Sequence, residues 1–229
     1  MLPLTSYAWK ELAVGTVVLL GAAAAAITLL PAPWTWSAAL PLLIWAYLLV
    51  FFRDPPRTIP QGPDLLVSPA DGVVTDITDL DTAEFLEQPA VRVGIFLSVI
   101  DVHVNRCPCA AEVAYLAYRR GEFLDARSTD ATHRNEANAM GLVCPQWGGL
   151  KILVRQIAGL IARRIVCAVA VGDRLEAGRR YGMIKFGSRT ELIVPKSAGF
   201  TPAVKVGDRV KGGSTVLGRV SVPTQPAGA

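Results

Sequence analysis

Two uncharged stretches of nineteen residues, 12–30 and 34–52, open this 229-residue chain and limit what it can become. A helix of that length runs about 28 Å, at the edge of what a bilayer's hydrocarbon core requires. Pro31-Ala32-Pro33 separates the runs, and Pro41 is expected to kink the second. Trp34, Trp36, Trp45 and Tyr47 are candidate interface aromatics. A cleaved signal peptide fits poorly, because a second apolar run follows at once and the preceding residues are weakly basic. Lys10 lies before the runs, Arg53 and Arg57 lie after them, and the loop between carries no charge. The positive-inside bias therefore predicts a hairpin with both ends in the cytoplasm, either spanning or half-inserted. The 52% hydrophobic content is high for a soluble domain, and the excess sits in this segment. The reading is a hairpin over 1–52, followed by a domain over 53–229 that is long enough for one core.

The net charge of +4 suits an anionic membrane surface, and no arginine-aromatic pattern points to nucleic acid. Cys107, Cys109, Cys144 and Cys167 are too few and too irregular for a disulfide framework. Cys107-Pro108-Cys109 lacks zinc-ligand spacing, so reduced thiols and no metal are expected.

Pro55, Pro56 and Pro60 stiffen the exit from the hairpin, and the pattern beyond them is β. Short apolar or alternating runs cover 65–67, 73–77, 91–99 and 112–118. Runs 150–156 and 160–169 flank Ala158-Gly159 and read as a hairpin. Residues 79–88 form a polar loop or short helix, and 121–140 a long functional loop. The segment Val171-Gly172-Asp173-Arg174-Leu175-Glu176-Ala177-Gly178 recurs as Val206-Gly207-Asp208-Arg209-Val210-Lys211-Gly212-Gly213. Such turns are similar to those of biotinyl- and lipoyl-type flattened barrels. The fold class is mainly β, a small sandwich or barrel of such hairpins behind a helical hairpin.

Chemistry-bearing residues are few. Gly187-Ser188 interrupts two strand-like arms, and a glycine there marks a bend or a close backbone approach. His103 closes the segment 95–106, a strand that turns polar at its end, where sites are commonly built. The other histidine, His133, lies in the long loop with Asn135, Glu136 and Asn138. Asp71 sits in a Pro-Ala-Asp-Gly turn.

In order along the chain come Phe51-Phe52-Arg53-Asp54-Pro55, Ser68-Pro69-Ala70-Asp71-Gly72, and Leu97-Ser98 with Asp101-Val102-His103-Val104-Asn105-Arg106. Asn135-Glu136, Gln156-Ile157-Ala158-Gly159, Ala162-Arg163-Arg164-Ile165-Val166 and Lys185-Phe186-Gly187-Ser188 follow. Together they resemble the phosphatidylserine decarboxylases, in their short, archaeal-type subfamily with a single-His motif. The resemblance runs from residue 51 to about 220.

That resemblance implies a pyruvoyl-dependent enzyme that converts phosphatidylserine to phosphatidylethanolamine in membrane phospholipid synthesis. Ser188 attacks the Gly187 carbonyl, and elimination leaves a β chain of 1–187 and an α chain of 188–229. The new N-terminus becomes a covalent pyruvoyl group, which forms an imine with the serine amine and accepts the electrons released with CO2. The resemblance further implies His103 as proton carrier and Asp71 as the group that orients or charge-stabilises the base. Longer bacterial members have a second histidine where this chain has Arg106. Either His103 serves both self-cleavage and decarboxylation, or another group activates Ser188. Arg106 could hold the lipid phosphate or carboxylate, with Asn135 and Glu136 as further substrate contacts. Diacyl and ether lipids both remain open as substrates. A homo-oligomer on the cytoplasmic face of the cell membrane is expected. The competing reading is a membrane-anchored biotinyl- or lipoyl-like carrier, which would use Lys185.

Overall fold

In the computed structural model, which describes residues 3–128, 130–160, 164–185 and 187–221, the apolar runs form two helices. These are α1 (Trp9–Leu29) and α2 (Ala39–Phe51). With their leading 3-10 turns, Ser6–Leu29 and Trp34–Phe51 are long and apolar enough to cross a membrane. The bare Cα of Gly15 lets them approach, since a Cβ there would meet Leu48 Cδ1 at 3.0 Å. Trp45 Nε1 donates to Thr16 Oγ1 at 3.1 Å. The ends of the hairpin are joined by a Leu4–Arg53 bridge, flanked by Thr5 N–Phe52 O and Asp54 N–Pro3 O bonds of 2.9 and 2.7 Å. Pro41 does not act as a kink. It occupies the first turn of α2, where the missing N–H has no intrahelical acceptor to lose.

The chain divides into two units, Met1–Pro56 and Arg57–Ala229. The second is a curled β half-barrel. Its strands are β1 (Leu65–Val67), β2 (Gly72–Leu80), β3 (Ala90–Leu97), β4 (Val104–Arg106), β5 (Ala111–Arg119), β6 (Ala137–Cys144) and β7 (Leu150–Ala158). They continue with β8 (Ile165–Cys167), β9 (Arg174–Leu175), β10 (Arg180–Ile184), β11 (Ser188–Pro195), β12 (Thr201–Pro202), β13 (Arg209–Val210) and β14 (Val216–Arg219). The large sheet has the order β13-β2-β3-β11-β7-β6-β5-β9. Two three-stranded sheets, β4-β10-β8 and β1-β14-β12, complete the unit.

Two details differ from the sequence reading. The runs around Ala158-Gly159 are not a hairpin pair: β7 lies between β11 and β6, while β8 pairs with β10 in a second sheet. The long polar loop ends at Glu136, because Ala137–Cys144 is a strand with nearly every residue buried. Burial on both faces removes the alternation by which a half-buried strand is recognised.

The repeated turns match bond for bond. Asp173 Oδ2 accepts from Ala170 N at 2.8 Å, and Asp208 Oδ2 from Lys205 N at 2.9 Å. Gly172 and Gly207 take φ of 97° and 95°, left-handed values that a side chain would strain. The strands that follow, β9 and β13, cap opposite edges of the large sheet by pairing with β5 and β2.

β11 is central to the large sheet and buried along its whole length. Leu192 and Val194 point into the main core with Val93, Ile95 and Val154, while Ile193 joins a smaller cluster on the other face. Alternation puts Ser188 and Thr190 on the core side, and Arg189 and Glu191 on the opposite side.

Candidate active site

The step from β10 to β11 carries the chain from the small sheet into the large one, and Gly187-Ser188 stands at its end. The corner is therefore a crossing between sheets and not a hairpin turn. Gly187 has φ of 59°, in the left-handed region, and a Cβ there would meet only Val99 Cγ1, at an ordinary contact distance of 3.9 Å. Backbone conformation, not crowding, calls for glycine here. Ser188 pairs with Leu97 of β3 on one side and Ala158 of β7 on the other. Its hydroxyl is fully buried and has no hydrogen-bond partner among the described residues. A buried hydroxyl left in that state costs about 1–3 kcal/mol, a penalty that packing alone would not retain.

Gly159 faces the same step. A Cβ on Gly159 would collide with the Gly187 carbonyl oxygen and lie 3.1 Å from its carbonyl carbon. The residues before it are held firmly. Asn135 Nδ2 donates to Ala158 O at 2.7 Å, and Ala158 N donates to Glu136 O at 2.9 Å.

His103 is fully buried at the start of β4, and Ile184 N donates to its carbonyl at 3.3 Å. His103 thus flanks the last residue of β10, four positions before Ser188. Its Nδ1 lies 3.0 Å from the Asp101 carbonyl oxygen. A carbonyl only accepts, so Nδ1 carries a proton, and Nε2 is the nitrogen left to exchange one. Two residues on, Asn105 Nδ2 donates to Thr190 Oγ1 at 3.0 Å, and Gln156 Nε2 donates to Asn105 Oδ1 at 2.8 Å. His103 and Asn105 leave their strand on one side, as do Ser188 and Thr190. The Asn105–Thr190 bond therefore turns the His103 face of the small sheet toward the Ser188 face of the large one.

The remaining candidates have other partners. The Asp71 carboxylate accepts from Arg57 Nη2 at 2.7 Å and from Gly212 N at 2.8 Å; neither bond goes to His103. Burial raises its pKa above the usual carboxylate range despite Arg57, and the negative charge of Asp101 adds to the rise. Arg106 is buried, with Nη1 donating to the Gly178 carbonyl at 3.2 Å. Asn135 also binds Leu124 through its side chain, donating to O at 2.8 Å and accepting from N at 2.9 Å. Glu136 Oε1 accepts from Tyr118 at 3.0 Å. Of the quoted motifs, Ala162, Arg163 and Phe186 lie outside the described residues. Burial pushes the Cys107 thiol up to about 12, and Cys109 and Cys144 lie Sγ to Sγ at 3.4 Å with both free.

A cavity of about 270 Å³ opens beside this corner, lined by Gly187, Gly159, Phe96, Ser98, Val99 and Leu160 together with Asp125, Ala126 and Arg127. On the opposite face of β11, Arg189 donates to Glu191 Oε1 at 2.9 Å and to Asp76 Oδ2 at 2.6 Å. Arg155 Nη1 reaches Glu191 Oε2 at 3.1 Å, and Thr132 Oγ1 donates to Glu191 Oε1 at 3.0 Å. Burial alone would raise Asp76, but Arg189 outweighs it and holds the carboxyl below its ordinary value. The ionised Asp76 thus contributes stability above the usual carboxylate range, and this is lost as pH falls through its lowered pKa.

A family model described as phosphatidylserine decarboxylase matches residues 45–218. The chain belongs to the phosphatidylserine decarboxylase family. A phosphatidylserine decarboxylase proenzyme of Carboxydothermus hydrogenoformans is 43% identical over 212 residues, 93% of each chain. Proenzymes of the same description from Symbiobacterium thermophilum and Gluconobacter oxydans are each 47% identical. The first covers 76% of this chain and 79% of its own, the second 76% and 77%. Within the family frame, Asn105, Gln156 and Thr190 are the residues that the sequence left without a role. All three are fully buried, and no local pattern marked this, because Arg106, Arg155, Arg189 and Glu191 stand beside them in the same strands.

Proposed function

We propose that this chain is a phosphatidylserine decarboxylase that matures by cutting itself between Gly187 and Ser188. The observation that carries the reading is the buried, unpartnered Ser188 hydroxyl beside a left-handed glycine. Ser188 Oγ bonds to the Gly187 carbonyl carbon as His103 Nε2 takes its proton, and the Gly187–Ser188 C–N bond breaks as the ring passes that proton to the Ser188 nitrogen, giving an ester and a free amine. Loss of the Ser188 Cα proton and the Cβ–Oγ bond then frees Gly187 as a carboxylate. Water replaces the resulting enamine nitrogen, which leaves as ammonia. The carbonyl so made supplies the electron sink for the pair released with CO2. Asp101 fixes the tautomer of His103. Arg106, Asn135 and Glu136 act in this reading by holding the walls of the site. Lys10, Arg53 and Arg57 favour the cytoplasmic face.

The carrier reading is disfavoured by Lys185, which is buried at a crossing between sheets, where a modified lysine must be exposed.

The activity is tested by supplying phosphatidylserine to the purified chain. Phosphatidylethanolamine should accumulate, and phenylhydrazine, a carbonyl reagent, should abolish its formation. A cut chain that leaves the lipid intact would contradict the reading. Gly159 gives a sharper test of maturation. Gly159→Ala should slow cleavage by on the order of a hundredfold, because a misplaced carbonyl loses the attack geometry. Gel-resolved cleavage at the wild-type rate would show that the bare Cα has no part.

A further inference from the structure

We infer that the second unit carries its own lipid-docking rim, formed by three loop tips around the cavity at Gly187, and that this rim meets the surface of an anionic bilayer. The inference rests on the decarboxylase reading and adds how the site reaches its substrate. The first tip is the turn Ser98–Asp101, closed by Asp101 N–Ser98 O at 2.9 Å and by Ser98 N–Asp101 Oδ2 at 2.8 Å. Polar residues and glycine dominate the centres of such turns. Here the centre is Val99-Ile100, and Ile100 is 62% exposed. The second tip follows Gly159 and presents Leu160, 70% exposed. The third is the loop between β5 and β6, where Phe123 is 40% exposed and Asn135 pins the adjoining Leu124. Val99 and Leu160 line the cavity, as do Ala126 and Arg127 beyond Phe123.

Three separate loops thus bring large apolar side chains to one mouth, where chance would scatter them singly. The occupant follows from the size of the cavity and the apolar tips around it. At about 270 Å³ the cavity falls below the range that encloses a drug-sized molecule, so it has room for a polar head group but not for two acyl chains. The chains must remain outside, in apolar surroundings that begin at the mouth. Arg127 at the same edge is ion-paired with Asp125 at 2.6 Å, its guanidinium 5.8 Å from the centre of the Phe96 ring. Apolar tips around a cavity of headgroup size suit the headgroup boundary of a bilayer, which phosphatidylserine itself makes anionic.

The test uses the full chain with Ile100→Asp and Phe123→Asp, two positions outside the cavity lining, reconstituted into liposomes. The helical hairpin is present in both forms, so anchoring is common to them. The variant should be cut as the wild type is. Its apparent KM for phosphatidylserine in the bilayer should rise about tenfold or more with kcat little changed. Kinetics on dispersed dihexanoyl phosphatidylserine should not change. An unaltered KM in liposomes, or equal losses on both lipids, would overturn the rim. So would a variant that alters the oligomeric mass, since the tips would then be a contact between copies. A wild-type chain inactive on both lipids would instead defeat the decarboxylase reading itself.

Discussion

Ser188→Ala is expected to yield one uncut chain of 229 residues, no decarboxylation, and a proenzyme at least as stable as its parent. The first two outcomes follow from chemistry, because alanine has no oxygen to take the acyl group and no route to a carbonyl. The third follows from the site. The Ser188 hydroxyl is buried without a partner, and removing such a group relieves a penalty of about 1–3 kcal/mol. A serine placed only for packing would give the opposite sign, since losing its contacts would lower the melting temperature. Thermal melts of Ser188→Ala and of wild-type chain recovered before it is cut separate the two. Continued cleavage in Ser188→Ala would move the scissile bond elsewhere.

The second large effect is expected at Glu191. Its carboxylate is fully buried and holds Arg189, Arg155 and Thr132 at once, while Arg189 reaches on to Asp76 and Thr75. The arrangement also relies on Gly94, where a Cβ would collide with the Arg189 guanidinium. Removing one member of a buried ionic group typically costs about 3–5 kcal/mol, because the others remain desolvated and uncompensated. Glu191→Ala should therefore lower the melting temperature by on the order of 10 °C. The consequence is greater in the proposed cut form. β11 would then begin at a free end, and two ion pairs, Arg155–Glu191 and Arg189–Asp76, join residues of 188–229 to β7 and β2 of the other piece. After mild denaturant, the 42-residue piece should separate from the Glu191→Ala protein at concentrations where the parent retains it. Gel filtration of the cut proteins reads this directly. Equal retention would mean that strand pairing with β3 and β7 suffices.

The sequence exposed some of this design and concealed the rest for physical reasons. The helical hairpin was legible because nineteen uncharged residues in succession rarely occur outside a membrane span or a buried core helix. The twin turns were legible because left-handed backbone demands glycine at fixed offsets, and both copies keep it. Pairing across sheets was not. Nothing local in 150–169 tells that β7 and β8 belong to different sheets, since sequence proximity favours a hairpin. The strand 137–144 was hidden by burial on both faces. At the proposed site, Ser188 and His103 were singled out by motif. The Asn105–Thr190 bond that relates them joins residues 85 apart, beyond the reach of any local pattern. For Asp71 the sequence showed part of the setting. Its place in the turn was evident, but its ties to Arg57 and Gly212 depend on how distant loops meet.

The proposed self-cleavage at Gly187-Ser188, with the small piece kept in the sheet, is the step on which the reading depends. Intact-mass spectrometry of the purified wild-type protein tests it most directly. Two masses are predicted, for 1–187 and for 188–229, the smaller blocked at its N-terminus and bearing a keto group in place of serine. A single mass for all 229 residues, with an unaltered serine at 188, would contradict it.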